Sequence, residues 1–345
     1  MIFFNNATTT QQKPEGVKGA APKTEAEVKP LIAELFGMKE AENVVFTQSG
    51  TQAVELALRT FVKAGEHVVT TVMEQDATIA VLEDIGATYS LLGIDAYGTL
   101  KYEELESLIT PETKAIVCAH GCSVTGNISD LETVGNVARK HKLLVISDGC
   151  QTAGAAEVNL QALGTDVYCF TGHKKLMGPY GIGGICFASE SLKAAFEEAN
   201  KDVIGAIDEK KLGGLFVSLN FILEKGIYGI SVWPHRLAKR FFESSKSLTK
   251  VRIYGNFGTN TRIPTIAFSV KGYTPEEVKE YLRKDYGIVA ETGYHGSKLM
   301  HQSLGTEDTG LIRVSIGYYN NRFQVNDAIW ALMKLTDQMD FYLLS

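Results

Sequence analysis

The chain has 345 residues, enough for about two domains, and its 45% hydrophobic and 21% charged residues are ordinary for a soluble globular protein. A net charge of −6 without a long basic run makes nucleic acid and anionic membranes poor candidate partners. No stretch has the apolar length expected of a membrane span, and residues 1–6 do not resemble a signal peptide. The five cysteines lack zinc-like spacing, which favours a reducing cytoplasm and no metal site.

Predicted helices and strands alternate through the first two thirds of the chain. In chain order, the hydrophobic pattern predicts a helix at 25–36, a strand at 43–47, a helix at 52–62, a strand at 67–71, a helix at 79–85, a strand at 114–119, a helix at 130–141, and strands at 143–147, 167–170 and 182–187. Such alternation is typical of an α/β fold, in which helices cover both faces of a mostly parallel sheet.

The pattern changes after Phe216. A long helical region at 219–248 precedes a strand at 264–270, a helix at 274–285, a strand at 311–317 and a helix at 325–341. This order predicts a smaller α+β unit. We therefore predict a large α/β domain at residues 13–225 and a small α+β domain formed by residues 1–12 and 226–345.

Polar residues follow several of the predicted parallel strands. The carboxyl ends of such strands meet at one edge of the sheet, where ligands bind. Gly50, Thr51 and Gln52 open a helix after the first strand, and its free amides can bind an anion. The same residue types are also ordinary helix caps, so this signal is weak by itself. Asp148 follows another strand and supplies a carboxylate at the same edge.

Lys174 lies on a turn directly after the apolar strand at 167–170. A lysine beside a buried sheet is a candidate for Schiff-base chemistry, because burial lowers its pKa and makes the amine nucleophilic. Most lysines at strand ends are merely solvated, so Lys174 alone decides nothing. Together, the lysine, the carboxylate and the anion site are the parts needed to hold pyridoxal phosphate.

Two segments carry a family resemblance. The opening run from Asn5 to Thr10 and the run from Thr165 to Gly183, which contains Thr171-Gly172-His173-Lys174, match motifs of one enzyme family. The chain resembles the class V aminotransferase family of fold-type I pyridoxal-phosphate enzymes, especially its cysteine desulfurase and selenocysteine lyase branch. The resemblance covers nearly the whole chain, and it implies the fold and a homodimer.

The resemblance implies a role for each matching residue of the cofactor site. Lys174 matches the lysine that forms the internal aldimine, although a different gap placement would give that role to Lys175. Asp148 matches the acid that keeps the pyridine nitrogen protonated, and Gln151 matches the side chain that hydrogen-bonds the ring hydroxyl. The remaining positions expected to contact the cofactor are Gly50, Thr51, Gln52, Gln75, Ser123, Thr171 and His173.

The implied reaction is that of a small amino acid bound as an external aldimine. Arg313 matches the arginine that grips the substrate α-carboxylate, a task that suits its bidentate geometry. Without the resemblance, a surface role for Arg313 is the simpler expectation. Asn6, in the opening segment, is the second predicted substrate-binding residue.

Four positions depart from the desulfurase pattern. Gly296 stands where that branch has the cysteine that accepts sulfur, and Glu291 stands where it has an arginine. A carboxylate there repels a substrate carboxylate and attracts an amine instead. Gln75 replaces the histidine that stacks on the ring, and Ser123 replaces an asparagine. The stretch 190–219 is short and lacks the recognisable Gly-Thr turn with which the partner subunit binds phosphate.

These departures leave several hypotheses open. We favour a pyridoxal-phosphate enzyme with C–S lyase or aminotransferase chemistry, since neither needs the missing thiol. The alternative is a degenerate homologue that acts as a cofactor-binding or non-catalytic partner subunit. A third hypothesis is that Cys122 or Cys150 replaces the thiol. The substrate side chain is not indicated by the sequence.

Overall fold

The computed structural model describes residues 1–259 and 262–337. Its strands are β1 Ile2–Phe3, β2 Val44–Thr47, β3 His67–Thr71, β4 Thr88–Leu92, β5 Thr113–Ala119, β6 Leu144–Asp148, β7 Val167–Thr171, β8 Gly183–Phe187, β9 Val251–Tyr254, β10 Thr265–Val270, β11 Ile288–Val289, β12 Glu291–Gly293 and β13 Leu311–Ser315. Its α-helices are α1 Glu25–Leu35, α2 Gly50–Phe61, α3 Asp76–Ile85, α4 Tyr102–Leu105, α5 Leu131–His141, α6 Leu160–Leu163, α7 Glu190–Asn200, α8 Glu209–Ser245, α9 Pro275–Tyr286, α10 Lys298–Leu304 and α11 Arg322–Leu335.

A seven-stranded sheet in the order β2-β8-β7-β6-β5-β3-β4 forms the centre of the first two thirds of the chain. β8 runs antiparallel to both of its neighbours, and the other strand pairs are parallel. The residues of β2, β3, β7 and β8 are all buried, as expected for strands covered on both faces. The predicted mostly parallel sheet is confirmed.

A second, four-stranded antiparallel sheet has the order β12-β13-β10-β9. Its core includes Phe268 and Ile312 from the strands, Phe241 from α8, and Phe4 from the N-terminus. The N-terminus reaches this core because β1 pairs in parallel with β11. The predicted α+β character of this region is therefore present, while the exact domain boundaries stay a prediction.

The hydrophobic pattern did not predict five short strands, namely β1, β4, β9, β11 and β12. β4 is an edge strand of the large sheet, and most of its side chains are half-exposed. β9 is likewise an edge strand, with only Tyr254 buried. Neither has the continuous apolar run that marked the central strands. The last predicted helix, 325–341, extends beyond Leu335 into residues 338–341, which lie outside the described residues.

Helix α8 connects the two cores. It packs Leu215, Leu219 and Ile222 into the core of the seven-stranded sheet and Leu237 and Phe241 into the other core. Its backbone is not helical at Gly226, near its midpoint, which has φ 69° and ψ 153°.

By length and composition, α8 is apolar enough to cross a membrane, whereas we expected no such stretch. One such helix within the described residues is a weak indication, and this one is interrupted.

Candidate functional site

Residues from three strand ends meet at one edge of the seven-stranded sheet. Gly50 begins α2 after β2, Asp148 ends β6, and Lys174 follows β7. Cys150 links the first two, because its backbone N–H donates to Asp148 Oδ1 at 2.8 Å and a Cβ on Gly50 would lie 2.2 Å from its Sγ. Burial raises the pKa of the Cys150 thiol, and the positive charge of Lys174 partly offsets that rise, which means that Lys174 lies close to Cys150. The predicted lysine, carboxylate and anion site thus lie together.

The start of α2 is shaped to receive an anion. Ser49 caps the helix by accepting a hydrogen bond from Gln52 N–H at 3.1 Å, and Gln52 Oε1 accepts from the backbone N–H of Gln48 at 2.9 Å. Thr51 is exposed at the first turn. Gly50 allows close packing of this turn, since a Cβ there would also lie 3.2 Å from Phe170 O. The first-turn amides that Ser49 does not cap and the helix dipole attract phosphate.

Thr171 and His173 lie on the turn that carries Lys174. Thr171 Oγ1 and His173 Nδ1 are 3.1 Å apart, and the His173 ring stacks on Tyr180 at a centroid distance of 4.5 Å. Burial, Lys174 and Lys13 lower the pKa of His173 to about 4, so its ring is neutral near pH 7. A neutral imidazole still offers one N–H to an anion.

The N-terminal segment holds this turn from the other side. The carbonyl oxygen of His173 accepts hydrogen bonds from Thr10 N–H at 3.3 Å, Thr9 Oγ1 at 3.2 Å and Lys13 Nζ at 2.8 Å. Burial and Lys18 lower the pKa of Lys13 to about 8. The peptide that precedes Lys174 is therefore fixed by three donors, which the sequence did not reveal.

Lys174 and Lys175 differ in their surroundings. Lys174 is partly exposed, its backbone carbonyl accepts from Met177 N–H at 3.0 Å, and its Nζ donates to no group among the described residues. Lys175 is 7% exposed and donates to Ile316 O at 3.4 Å, beside a cavity of about 20 Å³ that Thr10 and Tyr318 help to line. Burial, Arg313 and Lys174 lower the pKa of Lys175 to about 7. The free amine of Lys174 favours it as the attachment site, and that assignment stays a prediction.

Gln151 has a buried polar atom without a partner. Its Nε2 donates to Ala7 O at 3.3 Å, while its Oε1 is buried and accepts no hydrogen bond from the described residues. Buried polar atoms are nearly always paired with protein groups, water or a ligand. The predicted contact of Gln151 with a cofactor hydroxyl would satisfy this oxygen.

Arg313 is 4% exposed and is held by several acceptors. Its Nη1 donates to Ser123 O at 3.0 Å, and its Nη2 donates to Thr8 Oγ1 at 2.9 Å and Asn5 Oδ1 at 3.3 Å. Its Nε is buried without a partner, as are both ring nitrogens of His295. Burial, Arg313 and His301 lower the pKa of His295 to about 2, so this ring is neutral. The Nε–H of Arg313 and the single N–H of the neutral His295 ring suit a carboxylate, and His295 was not predicted from the sequence.

Asn6 lies in a structural position. Its Nδ2 donates to Ser315 O at 2.9 Å, Asn320 Oδ1 at 3.1 Å and Phe3 O at 3.3 Å, and the residue is 5% exposed. Its neighbour Asn5, which we did not predict, contacts Arg313 instead. The substrate-binding role of Asn6 stays a prediction without a contact that favours it.

The residues at three departing positions, Gln75, Ser123 and Gly296, lie close together. Gln75 Nε2 donates to Ser123 Oγ at 2.8 Å, and Ser123 Oγ donates to His295 O at 3.3 Å. Gly296 O accepts from Asp76 N–H at 2.7 Å, and a Cβ on Gly296 would lie 3.0 Å from Gln75 Oε1. The loop that carries a cysteine in the desulfurase pattern is therefore fixed against the seven-stranded sheet's connecting loops.

The family model for aminotransferase class-V matches residues 5–327. The chain belongs to the aminotransferase class-V family. Members of this family are enzymes that depend on pyridoxal phosphate. This confirms the resemblance drawn from the two sequence segments.

Individual class V relatives are distant in sequence. The chain is 24% identical to a probable cysteine desulfurase of Mycolicibacterium paratuberculosis, over 98% of this chain and 56% of that protein. It is 26% identical to a probable cysteine desulfurase of Halalkalibacterium halodurans, over 90% of this chain and 80% of that protein. The chain spans little more than half of the mycobacterial protein.

Solved structures confirm the fold. The cysteine desulfurase of Thermococcus onnurineus superposes with a TM-score of 0.85 at 23% identity, covering 98% of this chain and 95% of that one. A cysteine desulfurase of Escherichia coli superposes with a TM-score of 0.86 at 21% identity, covering 97% and 94%. The predicted fold-type I architecture is confirmed.

The class V site in this chain fits pyridoxal phosphate. The cofactor needs an amine, an acid for its ring nitrogen and an anion cradle. Lys174, half-buried Asp148 and the start of α2 supply these groups, and the unpaired Gln151 Oε1 adds an acceptor.

Burial disfavours the hypothesis that Cys122 or Cys150 replaces the thiol that the class V desulfurases use. All five are reduced and buried, and Cys122 is 0% exposed. Burial and Asp148 raise the pKa of Cys150 well above its ordinary value, which disfavours the nucleophilic thiolate. Within the described ranges, no three His, Cys, Asp or Glu residues form a group that could bind a metal ion.

Proposed function

We propose that this protein is a pyridoxal-phosphate enzyme that catalyses elimination from, or amino transfer to and from, a small amino acid. The observation that carries the proposal is the meeting of Lys174, Asp148 and the α2 start at one sheet edge, with Gly296 at the thiol position. Both reactions need removal of the α-proton, and neither needs a persulfide.

Each side chain has a defined task in such a reaction. The bound cofactor supplies an electron sink for the bond broken at the substrate α-carbon. Lys174 Nζ removes and returns the proton at that carbon, and Asp148 holds a proton on the ring nitrogen. The first-turn amides of α2 and the Thr51 hydroxyl bind the phosphate. Arg313 and the neutral ring of His295 bind the α-carboxylate.

The site also bears on the competing hypothesis of a non-catalytic partner subunit. Gln75 removes an aromatic face from the cofactor, which favours that hypothesis. Unpaired buried atoms on Gln151, Arg313 and His295 oppose it, because a site that binds nothing gains no compensation for leaving them unpaired.

The first prediction concerns the covalent link. Purified protein supplied with pyridoxal phosphate should show a visible absorbance band that borohydride removes, and peptide mass analysis should place the reduced adduct on Lys174. K174A should lose the adduct because no other amine is as free at this edge. K175M, which changes the adjacent buried lysine, is the matched control and should retain it.

Two outcomes would contradict this assignment. An adduct that survives in K174A and disappears in K175M would move the attachment to Lys175. No adduct in the wild-type protein would refute the proposed function. Pyruvate and sulfide released from cysteine would identify elimination, whereas turnover that requires a keto acid would identify amino transfer.

We further propose a homodimer in the cytoplasm, without nucleic-acid or membrane partners. Five reduced, buried cysteines support a reducing compartment. Light scattering on the purified protein distinguishes a dimer of about 75 kDa from the monomer, since twice 37.7 kDa is 75.4 kDa.

A further inference from the structure

Two side chains of opposite charge lie side by side at the substrate end of the site. Glu291 on β12 and Arg313 on β13 are directly opposite each other in the antiparallel register, so both project from the same face of the sheet. They form no ion pair within 4.0 Å. Asn5 separates them, since its Nδ2 donates to Glu291 Oε2 at 2.7 Å while its Oδ1 accepts from Arg313 Nη2 at 3.3 Å.

Both charged groups keep unused capacity for a ligand. Arg313 Nε is buried without a partner. Glu291 is partly exposed, and its Oε1 accepts no hydrogen bond from the residues described. A direct ion pair between them would have used these atoms. The separation by Asn5 instead leaves an anion site and a cation site a few ångströms apart.

Nearby cations do not neutralise Glu291. Lys279 donates to Thr292 Oγ1 at 3.2 Å and to Glu276 Oε2 at 3.3 Å. Successive strand residues point to opposite faces, so this cluster faces away from Glu291. Glu291 does act on Arg313, because its negative charge opposes the lowering of the Arg313 pKa by burial, which leaves that pKa at about 10.

We propose that the site selects amino acids whose short side chain ends in a cationic group, with Glu291 binding that cation while Arg313 holds the α-carboxylate. This inference rests on the proposed function, because it assumes that an amino acid occupies the site. An ammonium pairs with the open carboxylate oxygen, whereas an acidic side chain is repelled and an apolar one leaves the carboxylate unpaired.

The test compares two amino acids of equal shape on the protein loaded with pyridoxal phosphate. L-Ornithine and L-norleucine have side chains of the same length, which end in an ammonium and a methyl group respectively. Titration followed by visible absorbance should give ornithine a dissociation constant about tenfold lower than that of norleucine, which corresponds to about 1.4 kcal/mol.

Three variants isolate the charge of Glu291. E291Q keeps an oxygen acceptor for Asn5 and removes the charge, so the ratio should fall to about one. E291D keeps the charge and should retain a preference for ornithine. E276Q removes an equal charge from the opposite face of the sheet, so its ratio should match the wild type.

The outcomes separate this inference from the proposed function. Equal affinities in the wild type, or an ornithine preference that survives in E291Q, would overturn the selectivity alone. An absence of any spectral response to either amino acid would overturn both the selectivity and the proposed function.

Discussion

Glu74 places a carboxyl group inside the core at the end of β3. It is 1% exposed, its Oε1 accepts from Ala119 N–H at 2.6 Å and Thr71 Oγ1 at 2.9 Å, and its Oε2 has no partner among the described residues. Burial raises its pKa from 4.5 to about 8, and Asp148 adds to the rise. Glu74 is therefore protonated in the folded protein near neutral pH and ionised in the unfolded chain.

The free energy of unfolding should consequently fall as the pH rises from 4.5 to about 8. The folded state binds the extra proton between pH 4.5 and about 8, so the contribution of Glu74 is complete below pH 4.5 and is lost by about pH 8. The loss for wild type relative to E74Q is on the order of 4 kcal/mol. Urea unfolding at pH 5 and pH 8 measures it, with the exposed-site variant E83Q as control. An identical pH dependence in wild type and E74Q would show that Glu74 is ionised in the fold.

At the scale of elements, the loop between β12 and α10 is fastened to the start of α3. Gly296 O accepts from Asp76 N–H, Lys298 N–H donates to Asp76 Oδ1 at 2.7 Å, and Ser297 Oγ donates to Glu74 O at 2.5 Å. Gly296 has φ 72°, which disfavours any side chain. Reintroducing a thiol there meets both backbone strain and the Gln75 side chain.

We therefore expect G296C not to convert the protein into a persulfide-forming desulfurase. Strain at this positive φ should lower the free energy of unfolding by about 1–3 kcal/mol. G296A adds the same Cβ without the thiol and should cost a similar amount. Adding Q75A should recover part of the loss, because the two residues are in contact. Urea unfolding and alkylation of the thiol after reaction with cysteine measure both effects. A G296C variant as stable as wild type that accumulates persulfide would refute this expectation.

The sequence predicts some site elements much better than others. Asp148 and Lys174 could be predicted because each directly follows a buried strand, and parallel strands end at one edge. Asn5 and His295 could not, because they reach Arg313 from distant segments through contacts that no local pattern encodes. The edge strands β4 and β9 were missed for a related reason, since partial exposure removes the continuous apolar run.

At the scale of the whole molecule, α8 is the element that belongs to both cores. The sequence predicts one helical region at 219–248 but not its start at Glu209 or its interruption at Gly226. A glycine within an apolar helical pattern is usually tolerated, so the pattern does not distinguish a straight helix from a broken one. After this break, the second half of the helix packs against the four-stranded sheet. Arg313 of that sheet donates a hydrogen bond to Ser123 O, in a loop of the seven-stranded sheet.

Gly226 should therefore matter to the stability of the whole protein. Its φ of 69° and ψ of 153° fall in a region that only glycine adopts readily, and no atom lies within 4 Å of an added Cβ. G226A thus tests the backbone alone and should lower the free energy of unfolding by about 1–3 kcal/mol. G229A, three residues away in the helix and exposed, should raise it by about 0.5–1 kcal/mol, since alanine is the better helix former. Urea unfolding of both variants measures the difference, and a G226A protein at least as stable as wild type would mean that α8 straightens without cost.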